Sequence, residues 1–241
     1  MPCLYQQMNN LLPNSYSHHI SKEELQLLPL AQFEGEVIVV DKLEKVAEAV
    51  AYLSQQPIWG VDTEARPSFT RGVHYPTALL QIATEERCYL FRLTHVGMPV
   101  ELAALFADSK ICKVGLAFRD DLNGLRRRRN FIPANCVDVQ SILWKYGIME
   151  LGLQKVFAII YGKRISKSQQ LTNWENSSLT IEQAHYASTD AWATLLIYKD
   201  LLRTCPLSKA EAEALRRHEQ EMQQQHQQEV LAQRLLNQTA Q

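Results

Sequence analysis

Apolar and polar positions alternate in the β-branched run FEGEVIVV (33–40), which predicts a strand. Behind it, Asp41 stands where a helix N-cap would, and Leu43, Val46, Ala47, Val50 and Leu53 recur on one face. That spacing predicts a helix to about Gln55, with Glu44 as the reciprocal member of a capping box. Three strand-like runs follow: PIWGVDTE (57–64), TALLQIAT (77–84) and ERCYLFRL (86–93). The last two are almost contiguous, so an antiparallel hairpin is expected. A helix near 99–108, a strand at KICKVGLA (110–117), a helix from Phe118, and a short strand VDV (137–139) leading into a helix through Tyr146 complete this part. From Leu151 onward the pattern is mostly helical.

Hairpin strands followed by strand–helix alternation predict an α/β fold, a mixed sheet flanked by helices, occupying residues 31–205. Residues 1–30 read as a loosely ordered arm with short helical potential over 22–28. Residues 206–241 are rich in Gln, Glu, Ala and Arg and poor in large apolar side chains. They predict a C-terminal helical tail, solvated or available for self-association.

With 241 residues, 46% of them hydrophobic, the chain can bury a sizeable core. It contains no apolar run of about 18 residues, so no membrane span or membrane partner is expected. Nor does it open with a basic stretch and an apolar run, so a secretory signal is not expected. Cys3, Cys88, Cys112, Cys136 and Cys205 are scattered without Cys-x-x-Cys spacing, against a zinc site or disulfide framework. A reducing, cytoplasmic location is the matching expectation. The formal net charge of −1 does not itself suggest a nucleic-acid partner, although bound cations would neutralise any cluster of acids locally.

Three acidic motifs stand out. Asp62 and Glu64 in GVDTEA are two apart in a strand and leave the same face of the sheet. Two carboxylates ending an apolar strand are costly unless cations or donors compensate them. In AFRDDL, Phe118, Leu122 and Leu125 form the apolar stripe of a helix. Asp121 lies roughly 70° from its centre and Asp120 roughly 160°, so Asp121 borders the buried face and Asp120 points to water. In LTIEQAHYASTDAWA, Thr180 and Gln183 form a capping-box signature that starts a helix near Ile181. Tyr186 and Asp190 then share one face about 40° apart, while His185 lies about 140° from Asp190 and faces elsewhere. The arginines at 126–129 suit a helix C-terminus and a solvated face, with phosphate gripping as the alternative.

These residues resemble the DEDDy 3′–5′ exonucleases of the DnaQ-like, RNase H-like fold, with the ribonuclease D and Werner-type branch most similar. The likeness runs from about Ile58 to Leu202 through WGVDTE, ALLQIAT, CYLF, KVGLAFRDDL, LTNW and LTIEQAHYASTDAWA. It implies a five-stranded mixed sheet, with FEGEVIVV as an extension or separate edge. Asp62, Glu64, Asp121 and Asp190 are implied as ligands of two divalent cations, Mg2+ or Mn2+, with Asp62 bridging them. Tyr186 and Glu64 are implied to orient a water for in-line attack on the 3′-terminal phosphodiester, releasing nucleoside 5′-monophosphates.

The loop ARPSFTRGVHYP supplies Arg66, Phe69, Arg71 and Tyr75, cations and aromatics suited to phosphates and bases. Trp174 in LTNW is read as a packing residue. The expected substrate is the 3′ end of DNA or RNA, with DNA slightly favoured by the third motif. The alternatives are a ribonuclease D-like exoribonuclease and an inactive nucleic-acid-binding module of the same fold. No attached helicase or helical binding domain is expected in the remaining sequence.

Overall fold

A computed structural model of the chain describes residues 11–70 and 72–239. The first strand-like run forms β1 (Glu36–Val40), and the apolar periodicity after it forms α2 (Leu43–Leu53), preceded in the arm by α1 (Lys22–Leu27). The next three runs form β2 (Ile58–Ala65), β3 (Thr77–Ala83) and β4 (Arg87–Arg92). Two short helices, α3 (Leu93–Val96) and α4 (Val100–Ala107), lead to β5 (Cys112–Gly115), α5 (Phe118–Arg128) and β6 (Cys136–Asp138). Then come α6 (Gln140–Leu143), a 3-10 turn (Trp144–Tyr146), α7 (Leu153–Tyr161), α8 (Ile181–Arg203) and α9 (Lys209–Thr239).

The strands form one six-stranded sheet in the order β1-β4-β3-β2-β5-β6. β3 is antiparallel to both β2 and β4, whereas β1–β4, β2–β5 and β5–β6 are parallel. FEGEVIVV therefore extends the sheet as a sixth, edge strand beside β4. Its sequence-distant partner is set by topology, which the local pattern does not reveal.

Alternation along β3 divides the interior. Leu80 and Ile82 join Trp59, Val61, Tyr89, Phe91 and Phe106 on the face covered by α2 and α4. Leu79 and Ala83 join Leu90, Trp174, Tyr186, Ala187 and Ala191 on the face covered by α8. A third cluster, around Val114, Phe157, Ile197 and Leu201, packs α7 and α8 against β5.

One local expectation changes. Asp41 does not cap α2: the helix follows Lys42 without a side-chain cap, and the Asp41 carboxylate instead accepts from Lys45 Nζ at 2.9 Å. The helix begins one residue later than the pattern places it, with Lys42 in the cap position, which leaves Asp41 one residue short of the cap. The region after Leu151 is mostly helical as its pattern predicts, in α7, α8 and α9, interrupted by irregular residues 162–180 after α7 ends at Gly162 with φ 60°.

The described part of the arm is tied to the domain. Leu12 N donates to Arg203 O at 2.8 Å, Asn14 Nδ2 to Tyr146 O at 3.0 Å, and Tyr16 Oη to Asp200 at 3.0 Å. In α9, Ala212 is buried and Arg216 lies 5.2 Å over the Trp144 ring, while most of the described side chains from there to Val230 are exposed.

Gly60 sets how closely α8 can sit on β2. A Cβ there would lie 2.0 Å from the Ala191 carbonyl oxygen and 2.9 Å from Leu195 Cβ. Gly60→Ala should therefore force the helix outward, costing roughly 1–3 kcal/mol. The expected readout is a melting temperature lower by roughly 2–4 °C per kcal/mol. An unchanged melting curve would show that the contact is loose.

Candidate active site

The third motif is built by α8. Thr180 caps the helix, its hydroxyl accepting from Gln183 N at 3.1 Å, while Gln183 Oε1 accepts from Thr180 N at 3.1 Å. The same Gln183 donates through Nε2 to Thr172 Oγ1 at 2.9 Å, which ties the LTNW segment to the start of the helix. One turn on, Tyr186 and Asp190 are both 8% exposed, and the Tyr186 hydroxyl hydrogen-bonds the Asp190 carboxylate. His185 turns away, its Nδ1 lying 2.8 Å from Gln32 Nε2. Trp174 is fully buried with its ring 5.9 Å from that of Tyr186, a packing contact.

On β2, Asp62 and Glu64 point to the sheet face that α8 covers, as strand alternation requires. Seated at Gly60, α8 brings Asp190 to them. Ligand atoms of Asp62, Glu64 and Asp190 all lie within 4.8 Å of one another. Asp121 approaches from α5 and is half-buried, whereas Asp120 is exposed. Its carboxylate accepts from Thr63 Oγ1 at 2.5 Å and stands outside that group of three, though its charge acts on both Asp62 and Glu64.

Such crowding disfavours ionisation. Burial, reinforced by the charges of Asp121, Asp190 and Glu64, holds Asp62 well above the ordinary carboxylate range. Burial and then the charges of Asp190 and Asp121 raise Glu64 to about 9. Asp190 rises to about 7 through burial, against the Tyr186 hydrogen bond and the charge of Lys167. Asp121 rises to about 6 through burial, opposed by Thr63. The Tyr186 phenol is also pushed up, by burial and then by the charges of Asp190, Glu64 and Asp62, so it stays protonated and can act as a donor. Oxygen-only, mutually repelling carboxylates at this spacing are the donor set that hard divalent cations need, and cation charge is what would relieve them.

The sequence-predicted strand-binding loop is divided. Arg66 is exposed, with NH1 3.8 Å from Glu175 Oε2 and its guanidinium 4.8 Å over the Tyr75 ring. Phe69 is 85% exposed, and Arg71 lies outside the described residues. Of the four arginines ending α5, Arg128 donates to Thr77 O at 2.5 Å and Arg129 to Met98 O at 2.6 Å, so these two brace the fold.

Sequence reasoning passed over three contributors. Thr63 holds Asp121, and Lys167 offers the cation nearest in effect to Asp190. Asp138, at the end of β6, accepts from Ala117 N at 3.0 Å and Phe118 N at 3.1 Å, capping α5 where Ala117 adopts φ 56°. Neither Lys167 nor Asp138 carries a local signal, since each acts on a residue distant in sequence.

The raised carboxylates make the metal-free protein sensitive to pH. Their folded pKa values lie above the unfolded values of about 4. The folded state therefore holds extra protons, and the stability this gives is lost as pH rises through about 6, 7 and 9, the positions of Asp121, Asp190 and Glu64. Melting temperature without metal should fall between pH 5 and pH 9. Asp190→Asn should flatten that decline and raise the pH 8 value, by roughly 2–4 °C per kcal/mol recovered. A pH-independent melting temperature in the wild type would contradict the assigned burial.

Comparison with known proteins agrees with the geometry. A family model described as 3'-5' exonuclease matches residues 37–205. The mouse bifunctional 3'-5' exonuclease/ATP-dependent helicase WRN is 28% identical over 184 residues, covering 72% of this chain and 13% of that protein. A 3'-5' exonuclease from Arabidopsis thaliana is 31% identical over 148 residues, covering 59% of this chain and 51% of the relative. The chain thus spans about half of the length of one of these relatives and a small fraction of the other. Among solved structures, the Aedes aegypti Nibbler EXO domain aligns with a TM-score of 0.63 at 22% identity, covering 83% of this chain and 99% of that one. Escherichia coli RNase D, described as an exoribonuclease involved in structured RNA processing, aligns with a TM-score of 0.63 at 24% identity, over 75% of this chain and 46% of that one. At these identities the structural likeness is one of fold. No helix among the described residues is long and apolar enough to cross a membrane.

Proposed function

The chain belongs to the 3'-5' exonuclease family, and from that premise we propose that it hydrolyses the 3′-terminal phosphodiester of a polynucleotide with two divalent cations, Mg2+ or Mn2+. The observation that carries this reading is the convergence of Asp62, Glu64 and Asp190 within 4.8 Å, beside a protonated Tyr186.

Asp62, Glu64 and Asp190 would hold the cations, with Asp121 completing the set after exchanging its bond to Thr63. When bound, the cations would supply a water of lowered pKa and offset charge on the phosphate and the departing 3′ oxygen. The chain's own groups do the aiming. Tyr186, kept protonated by burial and then by its acidic neighbours, and steadied by the ring of Trp174, presents an O–H donor to the attacking water or to a phosphate oxygen. Glu64 accepts a hydrogen from the same water and turns its lone pair toward phosphorus. In-line displacement then releases a nucleoside 5′-monophosphate. Arg66 and Phe69, on the loop after β2, grip the strand entering the site by phosphate contact and base stacking, and Arg71 is assigned the same role from sequence. DNA is the favoured substrate on the sequence likeness of the third motif.

Incubation with 3′-labelled DNA and RNA oligonucleotides, single-stranded and recessed, in Mg2+ or Mn2+ tests the activity. Asp62→Ala and Asp190→Ala should abolish cleavage, and cleavage undiminished in either would refute the site. Degradation of RNA alone would reassign the substrate. Tyr186→Phe should retain cation binding and slow turnover by roughly 10²–10³-fold, the usual cost of removing one positioned hydrogen-bond donor. A rate equal to wild type would remove the tyrosine from the mechanism. Arg66→Ala should raise KM with little change in kcat, whereas a fall in kcat alone would assign it a role in the chemical step.

A further inference from the structure

One buried polar side chain is explained neither by the fold nor by the roles assigned so far. Gln81 occupies the middle of β3, within a strand that is otherwise almost entirely apolar. It is 0% exposed, and among the described residues neither Nε2 nor Oε1 has a hydrogen-bond partner. Leaving an amide unpaired in an interior costs roughly 1–3 kcal/mol, so an apolar residue of similar size would serve packing better. A glutamine at this position needs a reason beyond the core.

Its register supplies that reason. In the antiparallel pairing of β2 with β3, Gln81 stands directly opposite Asp62, and Leu79 opposite Glu64. Directly opposed residues of an antiparallel pair put their side chains on the same face, with Cβ atoms about 4.5–5.5 Å apart. Here that face is the one α8 covers, as Leu79 and Ala83 show by packing with Ala187 and Ala191. The side chain of Gln81 therefore lies beneath α8, on the same face of the sheet as Asp62 and directly across the strand pair from it. Being fully buried, it has no surface to offer a polynucleotide.

We infer that Gln81 is a positioning residue: its Nε2, unpartnered as the structure stands, becomes a donor to the Asp62 carboxylate once cations draw that group into place, and so fixes it. A carboxylate has lone pairs to spare after binding a cation, and a neutral donor on its inner side orients it without adding charge that would repel the cation. The inference rests on the cation-site reading above. Outer groups that orient a metal-binding carboxylate typically change affinity by roughly 10–100-fold when removed.

The test is Mn2+ affinity measured by calorimetry on the full chain, without substrate, for wild type, Gln81→Met and Asp62→Ala. Gln81→Met keeps the length and volume of the side chain and removes both polar atoms. It should fold with a melting temperature equal to or above that of wild type, yet bind Mn2+ roughly 10-fold or more weakly. Gln81→Leu, with a different shape, should show the same split between affinity and stability. Wild-type Mn2+ affinity in both variants would overturn the positioning role while leaving the cation site intact. Failure of the wild type to bind Mn2+, with Asp62→Ala behaving identically, would overturn the cation site and the positioning role together. In an activity assay, Gln81→Met should lower the rate at limiting Mn2+ and leave KM for the oligonucleotide unchanged. A raised KM would instead place Gln81 on the path of the strand, against the inference.

Discussion

At Gly60 the backbone of β2 lies so close beneath α8 that a single methyl group would overlap the Ala191 carbonyl. This contact sets the separation between a strand bearing two carboxylates and a helix bearing a third together with a tyrosine. With the helix further out, Asp190 would leave the 4.8 Å grouping with Asp62 and Glu64. With a different rotation, Tyr186 would lose its hydrogen bond to Asp190 or its contact with Trp174. The small residues facing the sheet, Ala187 and Ala191, serve the same close approach from the helix side.

Bringing these groups together works against the stability of the protein without bound cations. Each carboxylate is raised chiefly by burial, and at Asp62 and Glu64 the neighbouring charges add to the shift. Nearby donors relieve this only in part: Tyr186 and Lys167 act on Asp190, and Thr63 on Asp121. The remaining deficit is a site that favours either protons or cations, and the two compete for the same oxygens. The fold tolerates the deficit because the surrounding layers are apolar and tightly packed. The sheet is covered on one face by α2 and α4 and on the other by α8.

The supports of the site come from all over the chain. Asp138 on β6 caps α5 and so places Asp121, while Gln183 couples the LTNW segment to the start of α8 and so places Trp174 against Tyr186. Arg66, leaving β2, meets Glu175 beside Trp174, which links the loops after the first motif and before the third. Segments far apart in sequence thus hold one another around the acidic cluster, and the N-terminal arm ties the far end of α8 through Leu12 and Tyr16.

Much of this was legible without coordinates where the controlling physics is local. Strand alternation put Asp62 and Glu64 on one face, helical spacing separated Asp121 from Asp120 and Tyr186 from His185, and a capping box marked the start of α8. Backbone periodicity governs each of these, and periodicity is written in a few consecutive residues. Local reading failed where more than the local pattern decided: α2 begins after Lys42 and not after Asp41, and β1 found its place beside β4 only through sheet order. The sequence by itself determined which acids could converge and on which faces they lie. Tertiary structure alone decided that α8 sits close enough at Gly60 for three of them to meet, that Thr63 holds the fourth aside, and that Gln81 is sealed opposite Asp62. Those distances follow from the register of strands and the seat of a helix, both of which depend on packing across the whole domain.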